Sequence, residues 1–242
     1  MSALHVQIRG RGRDLVLLHG WAANLGVWKD FTRALSGRFR IISLDLPGHG
    51  RSDWDPGAAT PAAQTWRVHE TLAPITERYS LIGWSLGGQF ALDLASAMPA
   101  AIENLVLVNA SPRFLAAPGW PYGTAAVLLR RLEERLARDR GKAIDDFMNL
   151  EVRGMPPRTA ARALKKLRGV LCTHGAGNYD ALVNGLERLK NGDLRSALTQ
   201  VRVPTLVVGG SHDRIIHPSA SRALAALAGG RYVEFKEAGA RG

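Results

Sequence analysis

The residues best suited to chemistry in this sequence stand together at Gly83-Trp84-Ser85-Leu86-Gly87. Glycines two places before and after a serine permit a crowded strand-to-helix turn, which lifts the hydroxyl above a sheet and sets it near the positive end of a helix. A serine hydroxyl is a weak nucleophile until a base takes its proton, and the tetrahedral intermediate needs preorganised donors for its oxyanion. One donor is expected from the backbone N–H of Leu86. The other is expected from His19-Gly20-Trp21, where Gly20 lets the backbone approach and Trp21 supplies the amide. His19 reads as a residue that orders this loop through hydrogen bonds, with service as the base left open.

A carboxylate that orients the base should follow the serine in chain order, at the end of a later strand. Asp213 meets this, just past the apolar run 205–208 and the pair Gly209-Gly210. Asp45, in Asp45-Leu46-Pro47-Gly48-His49-Gly50-Arg51-Ser52, also ends an apolar run but precedes the serine, so this segment reads as a structural turn.

To place these groups together the chain needs a parallel sheet wrapped by helices, and its patterning supplies one. Short aliphatic runs predict strands over 5–9, 15–18, 41–44, 79–83, 105–109, 205–209 and 231–235, with helices over 65–76, 89–97 and 218–227. Between the fifth and sixth strands the periodicity is purely helical, over 125–140, 144–150, 159–171 and 179–189. A sheet does not continue through such a segment. The organisation is therefore an α/β core of residues 1–112 and 191–242, interrupted by a helical insertion over 113–190.

The 242 residues, 46% hydrophobic and 22% charged, suit one folded α/β domain and exclude a disordered, collagen-like or disulfide-scaffold chain. The most apolar stretch, 90–110, is interrupted by Asp93, Pro99 and Glu103, and the N-terminus lacks a hydrophobic leader, so a cytoplasmic location is expected. The single Cys172 fits a reducing compartment and argues against redox chemistry. The net charge of +11 raises nucleic acid, an anionic membrane surface or an acidic protein as partner. It is concentrated between Arg113 and Lys190, where 15 basic and 8 acidic residues stand. This stretch has few aromatics for base stacking and no recognised nucleic-acid motif, which favours the acidic protein.

Taken together, His19-Gly20-Trp21, the Asp45 to Ser52 segment, Gly83 to Gly88 and Gly209 to Asp213 resemble the α/β-hydrolase family, esterase type. More narrowly, the chain resembles the pimeloyl-acyl-carrier-protein methyl ester esterases of biotin synthesis nearly end to end. The most specific matches are Gly83 to Gly88, Asn109-Ala110-Ser111-Pro112-Arg113-Phe114 and Ala163-Leu164-Lys165-Lys166. The resemblance implies a helical lid over the active site and substrate contacts at Trp21, Ser85, Leu86, Phe147, Met148, Asn149, Leu150 and Glu151. It also implies that basic lid residues meet the acyl carrier protein. Arg130, Arg131, Arg135, Arg138, Arg158, Arg162, Lys165 and Lys166 are the candidates, since acyl carrier proteins are acidic and steer to basic surfaces. No metal, organic cofactor, nucleic acid or membrane is called for, and a monomer is expected.

One departure stands out. The family pattern places the catalytic histidine in a small-residue turn after the last strand, and here that turn reads Glu237-Ala238-Gly239-Ala240-Arg241-Gly242. Ala240 occupies the position of the histidine, and the helix that follows it in the family is expected to be missing. None of His5, His19, His49, His69, His174, His212 and His217 is an evident replacement. The leading expectation is a serine carboxylesterase acting on the methyl ester of a pimeloyl chain on acyl carrier protein. An esterase or lactonase for a small free ester and a non-catalytic acyl or carrier-protein binding homologue remain open beside it.

Overall fold

The computed structural model describes residues 4–236. Seven strands form one sheet: β1 (Val6–Gly10), β2 (Arg13–Leu18), β3 (Phe39–Leu44), β4 (Tyr79–Trp84), β5 (Ile102–Val108), β6 (Thr205–Gly210) and β7 (Arg231–Phe235), in the order β1-β3-β2-β4-β5-β6-β7. β1 pairs antiparallel with β3, and every other pairing is parallel. All the loops that follow the parallel strands therefore open at one edge of the sheet, where α/β proteins bind ligands.

The strands read as continuous apolar runs because both faces of the sheet are packed. Alternation along β2 divides the core: Val16 and Leu18 join the larger cluster with Ile42, Leu44, Leu81, Leu105 and Leu107, whereas Leu15 and Leu17 join Ile41 and Ile82 on the other face. The second cluster is closed by α1 (Lys29–Leu35), whose Phe31 and Leu35 pack on it. This helix has no fully buried residue and only two apolar side chains on its inner face, so its sequence carries no helical stripe to read. Val106, Val108, Leu206 and Val208, at alternate positions of β5 and β6, are only half-buried.

On the larger cluster lie α2 (Pro61–Leu72) and α3 (Leu86–Ala97). Between β5 and β6 the chain forms α4 (Ala126–Arg138), α5 (Arg140–Glu151), α6 (Pro157–His174) and α7 (Tyr179–Asn191), and α8 (Pro218–Leu227) precedes β7. The four-helix count of the insertion agrees with its periodicity. Several boundaries moved, α2 lying at Pro61–Leu72 rather than 65–76 and α5 starting at Arg140 rather than 144. α3 begins at Leu86 rather than at 89, because its first residues are the small Gly87-Gly88 that give no apolar signal, and α6 continues through His174 to a left-handed Gly175. Arg188 of α7 ties insertion to core: 3% exposed, it pairs with Asp93 of α3, bonds the Pro61 carbonyl at 3.2 Å, and lies 3.9 Å over the Phe90 ring.

Candidate active site

Ser85 sits between β4 and α3 with φ 54° and ψ −117°, a left-handed backbone that a side chain adopts only when its surroundings enforce it. The enforcement is visible. The Ser85 amide donates to the Val108 carbonyl (3.0 Å), and its own carbonyl accepts from the Gly88 amide (2.9 Å). A Cβ on Gly83 would strike the Gly87 carbonyl, and one on Gly87 would strike the Leu18 and His19 carbonyls, so only glycines let the turn close this tightly. The half-buried hydroxyl-bearing residue thus stands at the N-terminus of α3, at the open edge of the sheet.

The two amides expected as oxyanion donors belong to Leu86 and Trp21. Leu86 is the first residue of α3, so its N–H has no acceptor within the helix. The Trp21 amide donates to no acceptor among the described residues. The loop that carries it is pressed against the serine, since a Cβ on Gly20 would come within 3.2 Å of the Ser85 Cβ. His19 holds that loop. Its Nε2 accepts from the Leu46 amide (3.0 Å), so the ring proton is on Nδ1, which donates to the Gly20 carbonyl (2.8 Å). Burial pushes its pKa down to about 4, against a smaller opposing effect of the bond to Gly20. A histidine committed at both nitrogens orders a loop and is not a base. Asp45 is likewise structural: Oδ1 accepts from the Leu25 amide (2.7 Å) and Oδ2 from the Arg51 amide (2.9 Å).

Asp213 follows β6, two strands from Ser85 in the sheet order, a span of about 10 Å that a ring between the two side chains can bridge. It is 2% exposed. Its Oδ1 accepts from the Ile215 and Ile216 amides (2.7 and 2.8 Å), and its Oδ2 accepts from Nδ2 of Asn109. Burial pushes its pKa up to about 6, although the bonds from Asn109 and the two amides pull it down. The role of Asn109 is not assigned by the sequence reading. Its signal was present as a polar residue closing an apolar strand, and the structure adds a left-handed φ of 45° that aims it along the strand ends.

Of the residues expected from the insertion, Phe147 packs edge-on to Trp21 with ring centroids 4.9 Å apart, and Met148 and Glu151 are buried beside it in α5. α7 presses on the same tryptophan: Trp21 Nε1 donates to the Leu182 carbonyl (2.9 Å), and a Cβ on Gly185 would come within 2.8 Å of the Trp21 ring and 3.3 Å of Leu86. Trp21, Leu86 and Phe147 are therefore brought together. Leu150 is half-buried, while Asn149 is exposed and turns back to Asp145. The eight basic residues are all exposed. Arg135 pairs with Asp146, and Lys166 pairs with Asp30 of the core; Arg130, Arg131, Arg138, Arg158, Arg162 and Lys165 form no ion pair among the described residues.

Ala240, where the family pattern places the histidine, lies outside the described residues. Among the described residues no histidine hydrogen-bonds Ser85 or Asp213. His217 caps α8 through Ser219, His49 bonds the Pro47 carbonyl, and the backbone of His212 meets Gly154.

A family profile described as the alpha/beta hydrolase fold matches residues 15–240. The chain belongs to the α/β-hydrolase family. Within this family it is 37% identical to the pimeloyl-[acyl-carrier protein] methyl ester esterase of Stenotrophomonas maltophilia, over 98% of this chain and 89% of the relative. It is 39% identical to the protein of the same name from Nitrosomonas europaea, over 89% of this chain and 83% of that one. Among solved structures, an esterase from Exiguobacterium antarcticum superimposes with a TM-score of 0.86 at 24% identity, over 98% of this chain and 88% of its own, a likeness of fold. Ser85 after β4 and Asp213 after β6 stand in the chain order expected of a nucleophile and an acid in this family.

Proposed function

We propose that this α/β-hydrolase is a serine carboxylesterase that cleaves the methyl ester of a pimeloyl chain on acyl carrier protein, in the cytoplasm, releasing methanol and the free carboxylate. The observation that carries the reading is the Ser85 elbow, with its left-handed backbone and the Leu86 and Trp21 amides beside it. The names of the relatives supply the substrate.

In this reading the Ser85 oxygen attacks the ester carbonyl as a base takes its proton. The carbonyl oxygen becomes an oxyanion facing the two amides, and methanol leaves when the tetrahedral intermediate collapses with that proton returned. Water then releases the acyl group by the same steps. Asp213 is the carboxylate that orients the base and stabilises its protonated form, and no histidine among the described residues hydrogen-bonds it or Ser85. The helices α4 to α7 serve as a lid, with Trp21, Leu86, Phe147, Met148, Leu150 and Glu151 along the acyl path. The unpaired arginines of α4 and α6, with Lys165, meet the acidic carrier.

The test compares methyl pimeloyl carrier protein with free methyl pimelate, alongside labelling of Ser85 by a fluorophosphonate. Preference for the carrier-bound ester with labelling of Ser85 is expected. Equal rates on both esters would favour a small-ester hydrolase, and carrier binding without labelling or turnover would favour a binding module.

A further inference from the structure

A cavity of about 760 Å³ lies between the insertion and the core. Its wall is built from Tyr122, Leu128 and Leu150 on one side and Ile215 on the other, with Arg153 and Arg214 at its polar end. The two arginines come from different parts of the fold. Arg153 follows α5, and Arg214 follows Asp213 at the end of β6. Gly154, beside Arg153, has a left-handed φ of 93° and packs close to Arg214: a Cβ there would lie 3.5 Å from Nε of Arg214. Both are exposed, and neither guanidinium group forms an ion pair or a hydrogen bond among the described residues. His217 lines the same cavity. Its Nδ1 accepts from the Ser219 amide (3.3 Å), which leaves Nε2–H as a further donor.

Two cations on the wall of one cavity repel each other, and an anion bound between them turns that repulsion into attraction. The planar forks of arginine match the oxygens of a phosphate. The cavity also shares wall residues with a second one in the insertion. Leu128 and Leu150 line both it and a smaller cavity of about 210 Å³, walled also by Arg131, Arg135 and Asp146, that reaches Phe147, whose ring packs on Trp21. Phe147, Leu150 and Arg153 follow one another at intervals of three, so one face of α5 and its C-terminal turn runs from the tryptophan beside Ser85 to the arginines.

We propose that Arg153, Arg214 and His217 form an anion-binding subsite that takes the phosphodiester of the carrier's prosthetic arm while the acyl chain runs along Leu150 and Phe147. This rests on the carrier-protein reading, and the experiment separates the two.

Binding of 4′-phosphopantetheine, of pantetheine and of inorganic phosphate is measured by calorimetry on the full chain and on the double variant Arg153→Gln/Arg214→Gln. Thermal unfolding checks that both remain folded. In the parent, the phosphorylated arm should bind about tenfold more tightly than pantetheine, the worth of one or two charge-assisted hydrogen bonds. The gap should vanish in the double variant. Equal binding of the two arms by the parent, or a gap that survives the double substitution, overturns the subsite. Hydrolysis of carrier-bound and free methyl ester is followed in the same proteins. If the carrier ester is preferred and its KM is unchanged by the double variant, the subsite fails and the carrier reading stands. If no carrier preference exists but phosphate-dependent binding does, the subsite stands and the carrier reading fails.

Discussion

The side-chain amide of Asn109, at the end of β5, donates to Oδ2 of Asp213, at the end of the neighbouring β6. With both backbone amides on Oδ1, this bond completes a three-point grip on a carboxylate that is almost wholly buried. Asn109 is therefore a positioning residue for the acid.

Removing the grip should show in a titration. Asp213 has a pKa of about 6 with Asn109 pulling it down, so Asn109→Ala should move it higher. Catalysis that needs the carboxylate is lost as pH falls through this value, and the acid limb of kcat/KM should shift to higher pH in the variant. The stability cost should be about 1–2 kcal/mol. A limb that stays in place would show that Asn109 only supports the fold.

Ser85→Ala should abolish fluorophosphonate labelling and leave the denaturant midpoint within about 1 kcal/mol of the parent. Since no histidine bonds Ser85 or Asp213 among the described residues, turnover by the parent 242-residue chain should already be slow. An acceleration of roughly 10³–10⁴ over water is expected from binding and the oxyanion donors. Ester turnover at ordinary enzyme rates, on the order of 1–10³ s⁻¹, would mean that one of the seven histidines serves as base.

Arg158→Glu/Arg162→Glu should weaken processing of the carrier-bound ester far more than that of a free ester, because both side chains are exposed and unpaired among the described residues. The parent's preference should fall with salt as charges are screened over about 8–10 Å. Equal loss on both substrates would indicate damage to the insertion instead.

Arg188→Ala leaves Asp93, about three-quarters buried, without its partner and should cost about 3–5 kcal/mol in urea unfolding. The double replacement Arg188→Met/Asp93→Leu should recover most of this, since it removes both charges. A single variant as stable as the parent would mean that the pair does not join α7 to α3.

Acid should unfold the protein through the buried histidines. Burial lowers His19 to about 4 and His49 to about 3, below the ordinary histidine value near 6.5, so the unfolded chain binds protons that the folded chain excludes. Their contribution is complete above about pH 6.5 and is lost as pH falls through 4 towards 3. Asp213, raised to about 6, acts oppositely over a narrower range and should only soften the loss. His19→Asn should flatten the upper part of the profile measured by thermal unfolding.

The sequence alone determined the sheet strands, the helices between β5 and β6, the tight turn at Ser85 and the place of Asp213 after β6, because each depends on local features. Apolar runs predict strands wherever both faces of a sheet are covered, and Gly83 to Gly87 can close only one kind of turn. It also placed Trp21, because Gly20 in the same loop marks a close approach. What it could not supply was anything made by residues far apart in the chain with ordinary local surroundings. Asn109 reads as a strand end until β6 brings Asp213 beside it, 104 residues on. Arg188 reads as one cation among many in a basic insertion until α7 lies on Asp93 and Phe90. α1 has too few apolar residues to announce itself and is held by the cluster that it closes. Arg153 and Arg214 carry no local signal, and only the packing of the insertion on the strand ends puts both guanidinium groups in one cavity.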